Sequence, residues 1–262
     1  MNSETFFQMH PVFTREEYAA SRPDSSPRTV DSLLRTHAAS GRVVRVRRGI
    51  YASNAPGRGS GAADPFLIAT KAAPDAVISH HAALQFHGCS YSIWSQVTFL
   101  TAHAARPFAF GPNDFVPVRP PEAVAALPAM GGGIERRATD SGEVLVCSCE
   151  RAMVDLMHTP ALGGGWEEIF RSLFMIDYFD LEAVISYALA LDSALTAARV
   201  GYFLSQHRER LFVEESHLAR LAAAAPQQAR YFDRTREPGR LVHPWNLIVP
   251  DRFLDARWAE ET

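Results

Sequence analysis

The chain has 262 residues, 47% of them hydrophobic and 21% charged, with a net charge of −3. That balance reads as a soluble, globular protein of one or two domains. No apolar run approaches the roughly 18 residues of a membrane span. The start, Met1-Asn2-Ser3-Glu4, lacks the basic patch and apolar core of a signal peptide, so the expected compartment is the cytoplasm. Three cysteines, Cys89, Cys147 and Cys149, are too few for a disulfide framework.

The charge is unevenly spread. Residues 1–60 carry nine arginines against five acids (Glu4, Glu16, Glu17, Asp24 and Asp31), while the remainder carries 17 basic and 24 acidic residues. Such asymmetry points to a polyanionic partner for one end of the chain.

In chain order, a short helix is expected at Ser3–Met9. Thr14-Arg15-Glu16-Glu17 has the form of a capping box, and Phe13 and Tyr18 fall where a hydrophobic staple needs them. The helix that starts there ends before Pro23. Ser26-Pro27 opens the next helix as N-cap and first helical residue. In it Val30, Leu33, Leu34 and Ala38 make an apolar stripe, and Arg28, Ser32 and Arg35 lie on the opposite face. Gly41 is the expected stop. From Arg42 to Tyr51, arginines (Arg42, Arg45, Arg47, Arg48) interleave with Val43, Val44, Val46 and Ile50. Alternation on a strand would put valines on one face and guanidinium groups on the other. Gly49 suits the tip of a tight hairpin.

Helix, helix, basic hairpin is the order of a winged helix-turn-helix. On that reading Arg28, Thr29, Ser32 and Arg35 face bases and phosphates of the DNA major groove, and Arg42, Arg45, Arg47 and Arg48 neutralise phosphate. Residues 1–55 form the expected DNA-binding domain and 56–63, rich in glycine and proline, a linker. Beyond it, 64–158 alternates short strands with helices. Helices are expected at Asp64–Ala73, Ser79–Phe86 and Glu150–His158. Strands are expected at Ala76–Ser79, Gln96–Ala102, Phe115–Val118, Ile134–Ala138 and Glu143–Val146. Residues 159–262 read as mainly helical, from Trp166–Phe174, Leu181–Leu191, a segment capped by Ser193, and Val213–Ala225. The tail Val242–Phe253 reads as one short strand packed back on the core. The expected fold class is α+β, a winged helix-turn-helix followed by a larger mixed α/β domain with a helical C-terminal part.

Several segments resemble AbiEi-type antitoxins. Arg45-Val46-Arg47-Arg48-Gly49-Ile50-Tyr51 resembles that family's RVRRGVY segment, and Ser79-His80-His81-Ala82-Ala83-Leu84-Gln85-Phe86-His87-Gly88 its SHxSALxxHG segment. Glu150-Arg151-Ala152-Met153-Val154-Asp155-Leu156 is similar to ERTLLDLL. Arg199-Val200-Gly201-Tyr202-Phe203-Leu204 is similar to RLGYLLE, and Trp245-Asn246-Leu247-Ile248-Val249-Pro250 to WNLxVP. Residues 64–262 then resemble the family's C-terminal domain. The resemblance implies the autorepressor and antitoxin of a bacterial type IV toxin–antitoxin, or abortive-infection, operon. Its partners would be double-stranded promoter DNA with inverted repeats and a nucleotidyltransferase-type toxin that is countered without a stable complex.

An enzyme is the alternative from another class, a nuclease or nucleotidyl-handling protein that finds DNA with its first domain. Cys147-x-Cys149 with His158 lacks the ligand spacing of a zinc site. His80 and His87 are about two helical turns apart, too far for one ion. Arg151 and Asp155 read as an i, i+4 helix ion pair beside Glu150. No catalytic centre, metal or cofactor is expected.

Overall fold

The computed structural model describes residues 2–54, 63–140 and 142–254; the expected linker at 56–63, Ala63 excepted, lies outside them. The elements in chain order are α1 (Ser3–Met9), β1 (Val12–Thr14), α2 (Arg15–Ala20), α3 (Pro27–Ala39), β2 (Val43–Arg47), β3 (Ile50–Ser53), α4 (Pro65–Lys71), β4 (Val77–Ile78), α5 (His80–Phe86), β5 (Gln96–Leu100), β6 (Phe108–Phe110), β7 (Asn113–Val118), α6 (Glu122–Ala125), β8 (Ile134–Thr139), β9 (Gly142–Cys147), α7 (Cys149–His158), α8 (Trp166–Phe174), α9 (Leu181–Ala190), α10 (Ala194–Gln206), α11 (Glu215–Ala224), β10 (Arg230–Tyr231), β11 (Gly239–Val242) and β12 (Leu247–Pro250). The class is α+β, as expected. Two compact units arise: Met1–Ile78 with Ser95–Arg119 and Arg136–Val146, and Ser79–Trp94 with Pro120–Glu135 and Cys147–Thr262. No helix among the described residues is long and apolar enough to cross a membrane.

In the first unit the caps act as the residues require. Thr14 Oγ1 accepts from the Glu17 amide at 3.1 Å and Glu17 Oε2 accepts from the Thr14 amide at 2.8 Å, closing the capping box of α2. The Phe13 and Tyr18 rings beside it lie 5.8 Å apart and are fully buried. Ser26 Oγ accepts from the Thr29 amide at the start of α3. At its end Gly41, at φ +70°, lets the Arg42 amide reach the His37 carbonyl at 3.0 Å. Phe6, Phe7, Phe13, Tyr18, Val30, Leu34 and Val43 form the core.

Two details differ from the sequence expectation. Ala38 is exposed, and His37 completes the buried stripe. Its ring meets Phe7 edge-on at 5.0 Å while Nε2 lies 3.1 Å from Ser3 Oγ, so an apolar body with a polar tip serves better there than a methyl group. The second difference is in β2, where the register shifts between Arg45, opposite Tyr51, and Arg47, opposite Ile50. This bulge breaks the simple alternation: Val43 and Val46 are buried, and Val44 is exposed. β1, β3 and β2 make an antiparallel sheet in that order.

A six-stranded mixed sheet of order β6-β7-β5-β4-β9-β8 follows. β5 runs parallel to β7, and β4 pairs parallel with β9 and antiparallel with β5. The second unit is helical, but the tail is more than one strand. β12 lies between β10 and β11 in a three-stranded sheet, because Trp245 and Asn246 turn the chain from β11 back along its own edge.

Gly201, inside α10, lies directly under the buried Trp245, and a Cβ there would sit 2.1 Å from the ring. Overpacking against a rigid ring costs about 1–3 kcal/mol or more, against about 1 kcal/mol of helix propensity regained. Gly201→Ala should therefore lose about 2 kcal/mol in urea denaturation; a gain in stability would mean the ring can move aside.

Burial, with help from Arg210, holds the His207 imidazole down at about 4 from 6.5. The folded value lies below the unfolded one, so its stabilisation is complete above pH about 6.5 and is lost as pH falls through about 4. His207→Gln should flatten the fall in urea midpoint across that window. Identical pH slopes in the two proteins would exclude this histidine as the cause.

Candidate nucleic-acid interface

The α3 cap leaves Arg28, Thr29, Ser32 and Arg35 exposed on one side of the helix while Val30 and Leu34 are buried on the other. Thr29 Oγ1 is 2.9 Å from Ser26 Oγ, so this hydroxyl also serves the cap. Arg42, Arg45 and Arg48 of the hairpin are exposed as well. The tip closes at Arg48-Gly49, with Gly49 at φ +85°.

Arg47 is placed differently. Its guanidinium stands 4.6 Å over the Phe108 ring of β6 and the residue is half-buried. The bulge is the cause, since it turns Arg47 out of the register of Arg45.

Arg35, Arg45, Arg47 and Arg48 line one open cleft of about 1030 Å³, together with Arg15 and Lys71. Arg28, Thr29, Ser32 and Arg42 are not among its lining residues. Acids temper the cleft. Arg15 Nε donates to Asp31 Oδ1 at 2.6 Å, and this hydrogen bond holds the Asp31 carboxyl below its usual range. Lys71 Nζ is paired with Glu17. Arg15 and Lys71 were not singled out from the sequence. Arg15 looked like a helix-start residue, and no local pattern ties Lys71 to a glutamate 54 positions away. Arg35, Arg45 and Arg48 have no carboxylate partner among the ion pairs of the described residues. They are the cations best placed for a polyanion.

The residues weighed for catalysis lie in the second unit. Arg151 and Asp155 are only 1% and 2% exposed. Arg151 Nε donates to Asp155 Oδ2 at 3.4 Å and Nη1 to the Gly132 carbonyl at 2.6 Å, while Tyr187 Oη donates to Asp155 Oδ1 at 2.8 Å. Burial, then the adjacent Asp155 carboxylate, pushes the Tyr187 phenol well up. A neutral tyrosine locked onto an ion pair sealed from solvent is a packing arrangement.

Glu150 instead accepts from the Asp180 amide at 3.2 Å. The three histidines of the α5 segment are hydrogen-bonded separately. His80 Nδ1 lies 2.9 Å from Ser79 Oγ, His81 Nε2 2.9 Å from Glu168 Oε1, and His87 Nε2 2.9 Å from the Cys147 carbonyl. His158 lies against Thr196, and Cys147 is buried. Among the described residues no group of three histidine, cysteine or acidic side chains has the geometry to hold a metal ion.

No family model matches the chain, and no curated protein matches it.

Proposed function

We propose that the protein is a sequence-specific, double-stranded-DNA-binding transcriptional regulator, its first segment a winged helix-turn-helix. The observation that carries this is the convergence of Arg35 from α3 with Arg45 and Arg48 from the β2–β3 hairpin on one concave basic surface. The order helix, strand, helix, helix, strand, strand supports it further. α3 is the recognition helix, with Arg28, Thr29 and Ser32 reaching base edges and Arg35 phosphate. The hairpin is the wing, with Arg42, Arg45 and Arg48 on phosphates.

The resemblance to AbiEi-type antitoxins makes it the cytoplasmic autorepressor and antitoxin of a type IV toxin–antitoxin operon. It binds inverted repeats in its own promoter and counters a nucleotidyltransferase-type toxin without a stable complex. The role involves no catalysis, cofactor, metal or membrane.

The test is titration of the full chain against its own upstream DNA and a scrambled duplex across a salt series, with footprinting. Specific regulators bind their sites typically 10³–10⁷ times more tightly than random DNA. Equal affinity for both duplexes, or no retention at low salt, would sink the reading. Growth rescue of cells expressing the neighbouring toxin tests the antitoxic role separately.

A further inference from the structure

Two neighbouring parallel strands of the first unit end side by side, and the residues that leave them build a basic cavity. β5 and β7 pair in register up to Leu100 and Val118, and the Thr101 amide then donates to the Val118 carbonyl at 3.0 Å. Thr101-Ala102-His103 and Arg119 therefore emerge at one edge, the carboxyl ends of parallel strands, where open α/β sheets gather ligand-binding residues. β4 runs antiparallel to β5 with Val77 opposite Leu100, which brings Asp75 to the same edge. There Asp75 accepts from the Thr101 hydroxyl, from the Ala102 amide at 2.8 Å and from His103 Nδ1 at 2.9 Å. The Thr101 oxygen accepts in turn from the His103 amide at 3.1 Å, so one hydroxyl braces both partners. Burial raises the Asp75 carboxyl, yet these hydrogen bonds outweigh it and hold the group below its usual range, as a carboxylate. Thr101, His103, Arg106 and Arg119 line a cavity of about 370 Å³, to which Pro117 and Val118 add apolar lining. His103, Arg106 and Arg119 are exposed, and neither arginine has a carboxylate partner among the ion pairs of the described residues.

We propose that this cavity is a binding site for a small phosphate monoester, held by Arg106, Arg119 and His103. It shares no lining residue with the basic cleft of the hairpin, and the inference does not rest on the DNA-binding reading.

Charge and tautomer both favour that ligand. A phosphate monoester carries about −1.5 to −2 near neutral pH, which two guanidinium groups match, whereas a phosphodiester carries a single charge. The planar fork of arginine also suits phosphate oxygens. Asp75 accepts the Nδ1 proton of His103, which leaves Nε2, on the far side of the ring, for a ligand in the cavity. With the ring neutral, Nε2 accepts from the hydroxyl of the singly ionised ester; with the ring protonated, it donates to the doubly ionised ester. Both forms hold the same proton between ring and phosphate, and a diester has no hydroxyl to offer a neutral ring. Ligand cavities run from about 300 to 1,000 Å³, so this one, at the lower end, suits a small esterified group packed on Pro117 and Val118.

The test titrates methyl phosphate, dimethyl phosphate and inorganic phosphate into the isotopically labelled full-length protein at constant ionic strength, with chloride as the balancing anion. Backbone amide and histidine ring signals are followed by NMR. Methyl phosphate should give saturable shifts centred on Thr101–Arg106 and Arg119, with a Kd on the order of millimolar or below. Dimethyl phosphate should bind at least about tenfold more weakly, and Arg106→Ala and Arg119→Ala should each weaken methyl phosphate by about tenfold. His103→Gln should narrow the difference between the two esters. No saturable shift, shifts centred elsewhere, equal binding of the two esters, or equal affinity in both arginine variants would overturn the proposal. So would inorganic phosphate binding where methyl phosphate does not, which marks a site for free phosphate. Displacement by a duplex that lacks terminal phosphates would assign the arginines to a nucleic-acid backbone instead and overturn it as well. The shifts of the unaltered chain locate the site even where a variant fails to fold.

Discussion

Replacing Arg35, Arg45 and Arg48 together by alanine should lower affinity for promoter DNA by about 10²–10³-fold at near-physiological salt. It should also take about three from the slope of log affinity against log salt concentration, since each phosphate contact contributes about 0.9. All three side chains are exposed, border one cleft and lack a carboxylate partner among the described ion pairs, so their charge is open to a phosphate. Arg47→Ala is the internal control. It borders the same cleft, but its guanidinium lies on Phe108, so removing it should cost about 1 kcal/mol of stability and change the salt slope by less than any one of the three exposed arginines does. An unchanged slope in the triple variant would remove the wing from the proposed interface. A fall for Arg47→Ala as large as for the triple variant would mean that the half-buried guanidinium leaves its ring to meet the nucleic acid.

The second large effect belongs to Asp155. Its carboxylate accepts from both Arg151 and Tyr187, and the Arg151 guanidinium also stands 4.6 Å over the Tyr187 ring. Breaking a buried ion pair from one side typically costs about 3–5 kcal/mol, because the surviving charge is left in a poorly polarisable interior. Asp155→Ala should therefore lose about that much, read from the fluorescence of Trp94, Trp166 and Trp245, which lie in the same unit. Asp155→Asn keeps an acceptor for Tyr187 and should fall between the two. Asp251→Ala, whose pair with Arg240 is exposed on both sides, should change stability by less than about 1 kcal/mol. If Asp155→Ala unfolds within about 1 kcal/mol of the parent, the pair contributes little net stability and the buried cation is solvated by other means.

The legible parts of this chain are those whose physics is local. A capping box, a proline at the first helical position and glycines at φ > 0 are settled within a few residues, so α2, α3 and the hairpin tip emerge from Thr14, Glu17, Ser26, Pro27, Gly41 and Gly49. Features that depend on a distant partner do not. The bulge at Val46 exists only by reference to β3, and with it the burial of Arg47. Arg151 and Asp155 have the spacing of an ordinary surface pair, and only the arrival of Tyr187 from α9 marks them as interior. β6 and β10, three and two residues long, are too short to show any period. Gly201 and Trp245 lie in two segments of the family resemblance; their contact gives both a packing reason without assigning either a function.

The first unit is assembled from three separated stretches of chain. A gene fragment cut at the glycine-rich stretch would encode every arginine proposed to touch DNA. It would discard Lys71, the partner of Glu17, and Phe108, the seat of Arg47. On the proposed function, transplanting residues 2–54 alone is therefore a poor way to build a chimeric repressor. Under the same proposal, a swap of operator preference is better made by grafting single side chains onto α3 within the intact protein.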